Sequence, residues 1–174
     1  GDRIALMKDG VIVQIGTSEE IMTNPTDEYV RKFVEDVDRS KVFSAQHIML
    51  QPETIDIEKH GPRGALRRMK KAGISSVYVT NKNRELEGIV MAEDASNAVK
   101  NGIKDIHQVL KTDVPVVPPD FPLSDLFEII HNTPIPVAVV ENKILKGIII
   151  RGAVIAALAG NEVNHNDDTT NTPS

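Results

Sequence analysis

The strongest constraint on the fold is that the chain repeats itself at an offset near 60 residues. GPRGALRRMKKAGISSVYV (61–79) aligns with FPLSDLFEIIHNTPIPVAV (121–139), and TIDI (54–57) aligns with VPVV (114–117). Downstream, LEGIVMAEDASNAV (86–99) aligns with LKGIIIRGAVIAAL (145–158), where a shorter turn reduces the offset to 59. Each copy reads strand, helix, strand, strand, helix. A unit of this size encloses too little interior to stand alone. The pattern therefore predicts an α+β fold of two units packed against each other through their sheets.

Ahead of the repeat, RIALMKDGVIVQIG predicts two strands joined at Asp9-Gly10, since Asp-Gly supports the positive φ values of a tight hairpin. In TSEEI, Thr17 is placed to cap a helix and Glu20 to reach back and complete a capping box. Asn24-Pro25 ends that helix, and a second is predicted at about 26–36, with Tyr29, Val30, Phe33 and Val34 on one face. The last residues, NEVNHNDDTTNTPS (161–174), are polar and aperiodic and predict a disordered tail.

Composition removes several functions. A net charge of −5 and 3% aromatic residues argue against nucleic-acid binding, which wants a basic surface or stacking platforms. Cysteine is absent, excluding disulfides, thiolate nucleophiles and cysteine zinc sites and fitting a reducing compartment. No apolar run is long enough to span a bilayer, and no secretory signal follows Gly1. His47, His60, His107, His131 and His165 stand singly, away from metal-ligand spacings. Ser75 and Ser76 lack any nucleophile signature and read as strand-entry residues.

The paired units, over roughly residues 44–160, resemble tandem cystathionine-β-synthase (CBS) repeats, the Bateman module. GDRIALMKDGVIVQIGTSEEIMTNPTDEYV is similar to the stretch of an ABC transporter ATPase just after its switch histidine, with VEDVDRSKVFSAQHIM joining the two parts. Together they resemble the C-terminal part of the ATP-binding subunit of osmoregulated glycine betaine importers. The resemblance implies a division into 1–40 (end of the ATPase domain), 41–102 (repeat 1), 103–160 (repeat 2) and 161–174 (tail). It also implies a cytoplasmic protein at the inner face of the membrane, attached through its ATPase part to the transporter's membrane subunits. No G-x-x-x-x-G-K-[ST] stretch is present, so the chain as given is expected to regulate rather than to hydrolyse ATP.

CBS repeats commonly hold adenosine nucleotides with a small hydroxyl residue at the end of the last strand and an aspartate three residues on. Here GIVMAED keeps Asp94 but has Met91 at the hydroxyl position, and GIIIRGA has Ile150 and Ala153. A conventional AMP or ATP site departs from the family pattern in both units. Ile74 and Asp94 are the candidates in the first; for Asp94 the plain alternative is a carboxylate favoured by a helix N-terminus. In the second, Arg151 sits where strand gives way to helix, so that its guanidinium and the free amides around Gly152 are expected to converge on one anion, with close approach at Gly152. The plain alternative is a surface ion pair.

The helix AVIAALA is apolar nearly all round, unlike EDASNAVK in the first unit. That asymmetry predicts a homodimer through the second unit, with two copies of Arg151 facing one two-fold ligand. Cyclic di-AMP fits this description, and the resemblance implies that it shuts transport down. Ile135, Val137, Ile148 and Ile150 are the expected apolar walls. Separately, Arg63, Arg67, Arg68, Lys70 and Lys71 lie on one helix that buries Leu66 and Met69. This cluster is either a solvated face or a contact for an anionic membrane surface that weakens with salt.

Overall fold

A computed structural model describes residues 2–35 and 37–159, so the expected tail at 161–174 lies outside the described residues. β1 (Ile4–Lys8) and β2 (Val11–Gly16) form an antiparallel hairpin. Its turn places Asp9 at φ 53° and Gly10 at φ 78°, the left-handed pair that a two-residue connection between twisted strands requires. α1 (Ser18–Thr23) begins in the expected box: Thr17 Oγ1 accepts the Glu20 N–H at 3.2 Å, and the Glu20 carboxylate accepts the Thr17 N–H at 2.9 Å. The Gln14 amide then stitches the hairpin to the following turn, donating to Asn24 O at 2.9 Å and accepting the Thr26 N–H at 3.0 Å. α2 (Glu28–Glu35) is shorter than expected, and its apolar face is divided, with Val30 fully buried and Phe33 56% exposed.

The largest departure from the sequence reading concerns residues 34–49, expected to join two parts, with 41–49 counted in repeat 1. Here α3 (Arg39–Val42) and α4 (Ala45–Ile48) are short helical turns, and Phe43 between them enters a core together with Ala45 and Ile48 of α4. That core belongs to the second repeat: it contains Val117, Leu126, Val137 and Ile149, and Met22 from α1 reaches it too. The segment preceding the first unit therefore completes the second.

The first unit is β3 (Thr54–Asp56), α5 (Pro62–Ala72), β4 (Ser76–Thr80), β5 (Leu86–Met91) and α6 (Ala92–Lys100). After a 3-10 turn at Ile106–Gln108, the second is β6 (Val116–Val117), α7 (Leu123–Asn132), β7 (Val137–Glu141), β8 (Ile144–Ile149) and α8 (Arg151–Leu158). Both sheets have the same topology: the first strand pairs in parallel with the middle one, which pairs antiparallel with the last. The expected α+β unit of strand, helix, strand, strand, helix is thus present in both copies.

The crossing is reciprocal. Ile106 packs in the first unit's core with Ile55, Met69, Val77 and Val90, although it precedes the second unit's strands. Leu50 exchanges both backbone hydrogen bonds with Ile148, at 2.8 and 2.9 Å, and Lys111 exchanges both with Ile89, each at 2.8 Å. Each approach segment therefore adds one residue of ladder to the other unit's last strand. The repeat's shared glycines make room for this: a Cβ on Gly88 would lie 2.5 Å from Lys111 O, and one on Gly147 would lie 2.7 Å from the Met49 sulfur.

Between the sheets, Tyr78, Ile89, Ala138 and Leu145 form a shared cluster. The Tyr78 hydroxyl donates to Pro136 O across this interface, and burial pushes its pKa well above the usual phenol range, keeping it a neutral donor.

Candidate functional site

The end of α7, the turn into β7 and the end of β8 meet where α8 begins. The chain stops being helical after Asn132 because Thr133-Pro134 disfavours a further turn, and Pro134-Ile135-Pro136 leads extended into β7. The concavity so formed measures about 330 Å³; Ile130, Thr133, Ile135, Pro136, Ile150 and Arg151 are among its walls.

Arg151 is the first residue of α8, and its Nη2 donates to Ile130 O at 3.2 Å. That carbonyl is one of those an α-helix leaves without an intrahelical partner, at the negative end of the α7 dipole. The contact uses one edge of the guanidinium; the rest of the fork stays available at the exposed residue. Among the described residues no carboxylate pairs with Arg151. Nothing lies within 4 Å of a Cβ placed on Gly152, so the helix start is open and its glycine is not demanded by the chain's own packing.

The expected walls separate. Ile135 and Ile150 line the concavity, Ile150 with 39% of its surface exposed. Val137, fully buried, faces the second unit's core, because β7 alternates and its neighbour Ala138 takes the inter-sheet side. Ile148 packs between the sheets, bonded to Leu50. Neither is among the residues lining the concavity. In the first unit, Ile74 follows the left-handed Gly73 (φ 68°) and is 40% exposed. Asp94 lies in the first turn of α6, with Oδ2 3.2 Å from Lys111 Nζ. This atom is shielded from solvent and makes no aligned hydrogen bond, so the pairing is Coulombic. Lys111 as the partner of Asp94 was not foreseen, since only the crossing brings it there. Thr133 and Pro136 were also missed, although the repeat alignment sets them over Gly73 and Ser76 and marks the same turn.

α8 does not bury itself within one chain. Ala153 and Val154 are buried, but Ile155 is 60% exposed and Leu158 39%, and Phe127 on the adjoining α7 is also 39% exposed. On α5, Met69 is buried and Leu66 half-buried, leaving Arg63, Arg67, Lys70 and Lys71 exposed; Arg68 pairs with Glu53 at 3.2 Å. Among the described residues no group of three or more His, Asp or Glu side chains is placed to hold a metal ion, and no helix is long and apolar enough to cross a membrane.

Comparison with known proteins adds to this geometry. The CBS domain family model matches residues 45–101 and 103–160. The glycine betaine/carnitine transport ATP-binding protein GbuA of Listeria monocytogenes is 54% identical over 166 residues, covering 95% of this chain and 42% of that protein. The glycine betaine transport ATP-binding protein OpuAA of Bacillus subtilis is 51% identical over 172 residues, covering 98% of this chain and 41% of that protein. The chain thus spans about two fifths of the length of the curated relatives it matches. A solved structure of CbpB in complex with c-di-AMP superposes with a TM-score of 0.62 at 17% identity, covering 74% of this chain and 93% of that one, a likeness of fold.

Proposed function

The chain belongs to the CBS-domain family, as a tandem pair homologous to the C-terminal region of glycine betaine ABC-transporter ATPase subunits, and from that premise we propose that it is the regulatory module of such an importer, binding an adenine dinucleotide, cyclic di-AMP, at a homodimer interface to inhibit transport. The observation that carries this reading is Arg151: a guanidinium with no acid partner among the described residues, at the rim of an apolar-walled concavity beside an exposed apolar helix face. A cation beside grease suits a phosphate linked to a flat base, and a second copy covering Ile155 and Leu158 brings a second Arg151 to the same ligand. The alternative readings are a structural dimerisation module without ligand, or a pair that binds AMP or ATP.

The site lies close to the part that resembles an ATPase. α8 packs on α3 and α4, whose core also takes in Met22 of α1. A ligand that prefers one seating of α8 shifts the equilibrium by its difference in affinity between the two states. On this reading the module works in the cytoplasm, tied to the transporter's membrane subunits through the ATPase part. It is regulatory and carries out no chemistry of its own.

The test is titration of cyclic di-AMP into Arg151→Ala. A charge-assisted hydrogen bond to phosphate is worth about 1.5–3 kcal/mol, so affinity should fall at least about tenfold. Unchanged affinity removes the assignment. A nucleotide panel read by melting temperature separates the alternatives, because only a ligand held by the folded state raises it. The exposed cations Arg63, Arg67, Lys70 and Lys71, with Arg68 beside them, support a further contact with anionic lipid that reports ionic strength. Binding to anionic liposomes that is absent or independent of salt would remove that contact.

A further inference from the structure

A second, smaller cavity lies between the two units, on the side of β3 that faces β8. It measures about 80 Å³ and is lined by Gln51, Pro52, Thr54, Thr80, Arg84 and Leu145. Ile55, Val77 and Val79 point into the first unit's core, so alternation turns Thr54, Tyr78 and Thr80 toward the second unit. Thr80 is only 8% exposed and forms part of the cavity wall.

Strand register shows that the fold does not require these hydroxyls. Ile55 pairs with Val79 in the first unit as Val117 pairs with Val139 in the second. Thr54 and Thr80 therefore correspond to Val116 and Val140, a register that moves the first strand two residues from the sequence alignment, which sets Thr54 over Val114. The same architecture stands with valine at both places, so the polar lining is particular to this cavity.

The lining is rich in donors and holds no carboxylate. Arg84 offers only donors, the two threonine hydroxyls can both donate, and Gln51 adds its amide. The acids of β3 and its approach are engaged elsewhere: Glu53 with Arg68 at 3.2 Å, and Asp56 with the Glu58 N–H at 2.9 Å and Lys59 at 3.9 Å. Arg84 is held by the β4–β5 turn, where its N–H donates to Asn81 O at 2.9 Å and its carbonyl accepts the Leu145 N–H at 3.1 Å. A single water needs about 10–15 Å³ on this measure, so the cavity has room for a larger polyatomic guest.

From this geometry we infer a binding site for one tetrahedral oxyanion, either free phosphate or the phosphoryl group of a nucleotide, clamped by Arg84, Thr80 and Thr54 at the seam of the two units. Its occupant joins β3 and β4 of one unit to β8 of the other, so binding stiffens the pairing of the units. The inference is independent of the proposal for Arg151.

The test titrates inorganic phosphate into the 174-residue chain at constant ionic strength in chloride, using an Arg151→Ala background so that the other cation cannot report. Saturable binding of one phosphate per chain is expected. Thr80→Val and Arg84→Gln should each weaken it at least about tenfold, while Arg84→Lys, keeping the charge but losing the fork, should weaken it less. Thr80→Val should melt as its parent does in chloride alone, since valine already serves at Val140. Absent binding in the parent, or binding that survives both Thr80→Val and Arg84→Gln, overturns the site. Competition by AMP that depends on Arg84 assigns the anion to a nucleotide, and its absence assigns it to free phosphate; both uphold the clamp.

Discussion

The reciprocal crossing makes a prediction at two glycines that the repeat treats as equivalent. An alanine at Gly88 would set its Cβ 2.5 Å from Lys111 O and 2.9 Å from Leu110 Cδ1, whereas one at Gly147 would have its three nearest neighbours in Met49, at 2.7 Å from the sulfur and 2.9 Å from Cβ. The first obstacle is a backbone carbonyl fixed by hydrogen bonds at 2.8 Å in both directions with Ile89, and it cannot retreat without breaking them. Overpacking costs about 2 kcal/mol and each lost hydrogen bond about 1 kcal/mol. Removing glycine's unfolded-state freedom returns about 0.7 kcal/mol only where the backbone suits alanine, and Gly88, at φ 158°, does not. Gly88→Ala should therefore destabilise by about 4 kcal/mol or more. At Gly147 the Met49 sulfur can swing away while its Cβ must shift, so overpacking is about 1.5 kcal/mol and the net cost about 1 kcal/mol. At about 2–4 °C per kcal/mol for a domain of this size, Gly88→Ala should melt roughly 8–16 °C lower and Gly147→Ala within a few degrees of the parent. Urea midpoints should rank the variants in the same order. Equal losses at the two glycines, or the reverse order, would refute the reasoning from the crossing.

Two further outcomes follow from single contacts. Tyr78→Phe leaves Pro136 O without its donor between the sheets and should cost about 1–2 kcal/mol in urea unfolding. Because burial raises the Tyr78 pKa above its unfolded value near 10, the native state keeps its proton where the unfolded state loses it; stability is full below about pH 10 and declines as pH rises beyond it. Unfolding midpoints at pH 9 and pH 11 should show that decline, and Tyr78→Phe should flatten it; an unchanged slope would count against the buried phenol. Thr17→Ala removes the acceptor for the Glu20 N–H and should cost about 1 kcal/mol, seen as a lower urea midpoint. No change would mean that α1 is held by Ile21 and Met22 alone.

Much of this protein is local and therefore readable from its residues. Asp9-Gly10 dictates a turn, Thr17 and Glu20 a helix start, and the repeat two units of one element order, because each depends on neighbours a few positions away. The site was readable in part for the same reason: Ile150 and Arg151 had to fall where β8 meets α8. Tertiary structure alone decided what periodicity cannot express, namely which of two similar cores a segment enters. Phe43, Ala45 and Ile48 are apolar enough for either unit, yet long-range packing seats them under the second and Ile106 under the first. That choice set Lys111 beside Asp94. The same level of organisation sent Val137 to a core and Arg151 to the carbonyl of Ile130, since a strand's alternation names two faces without saying what covers each.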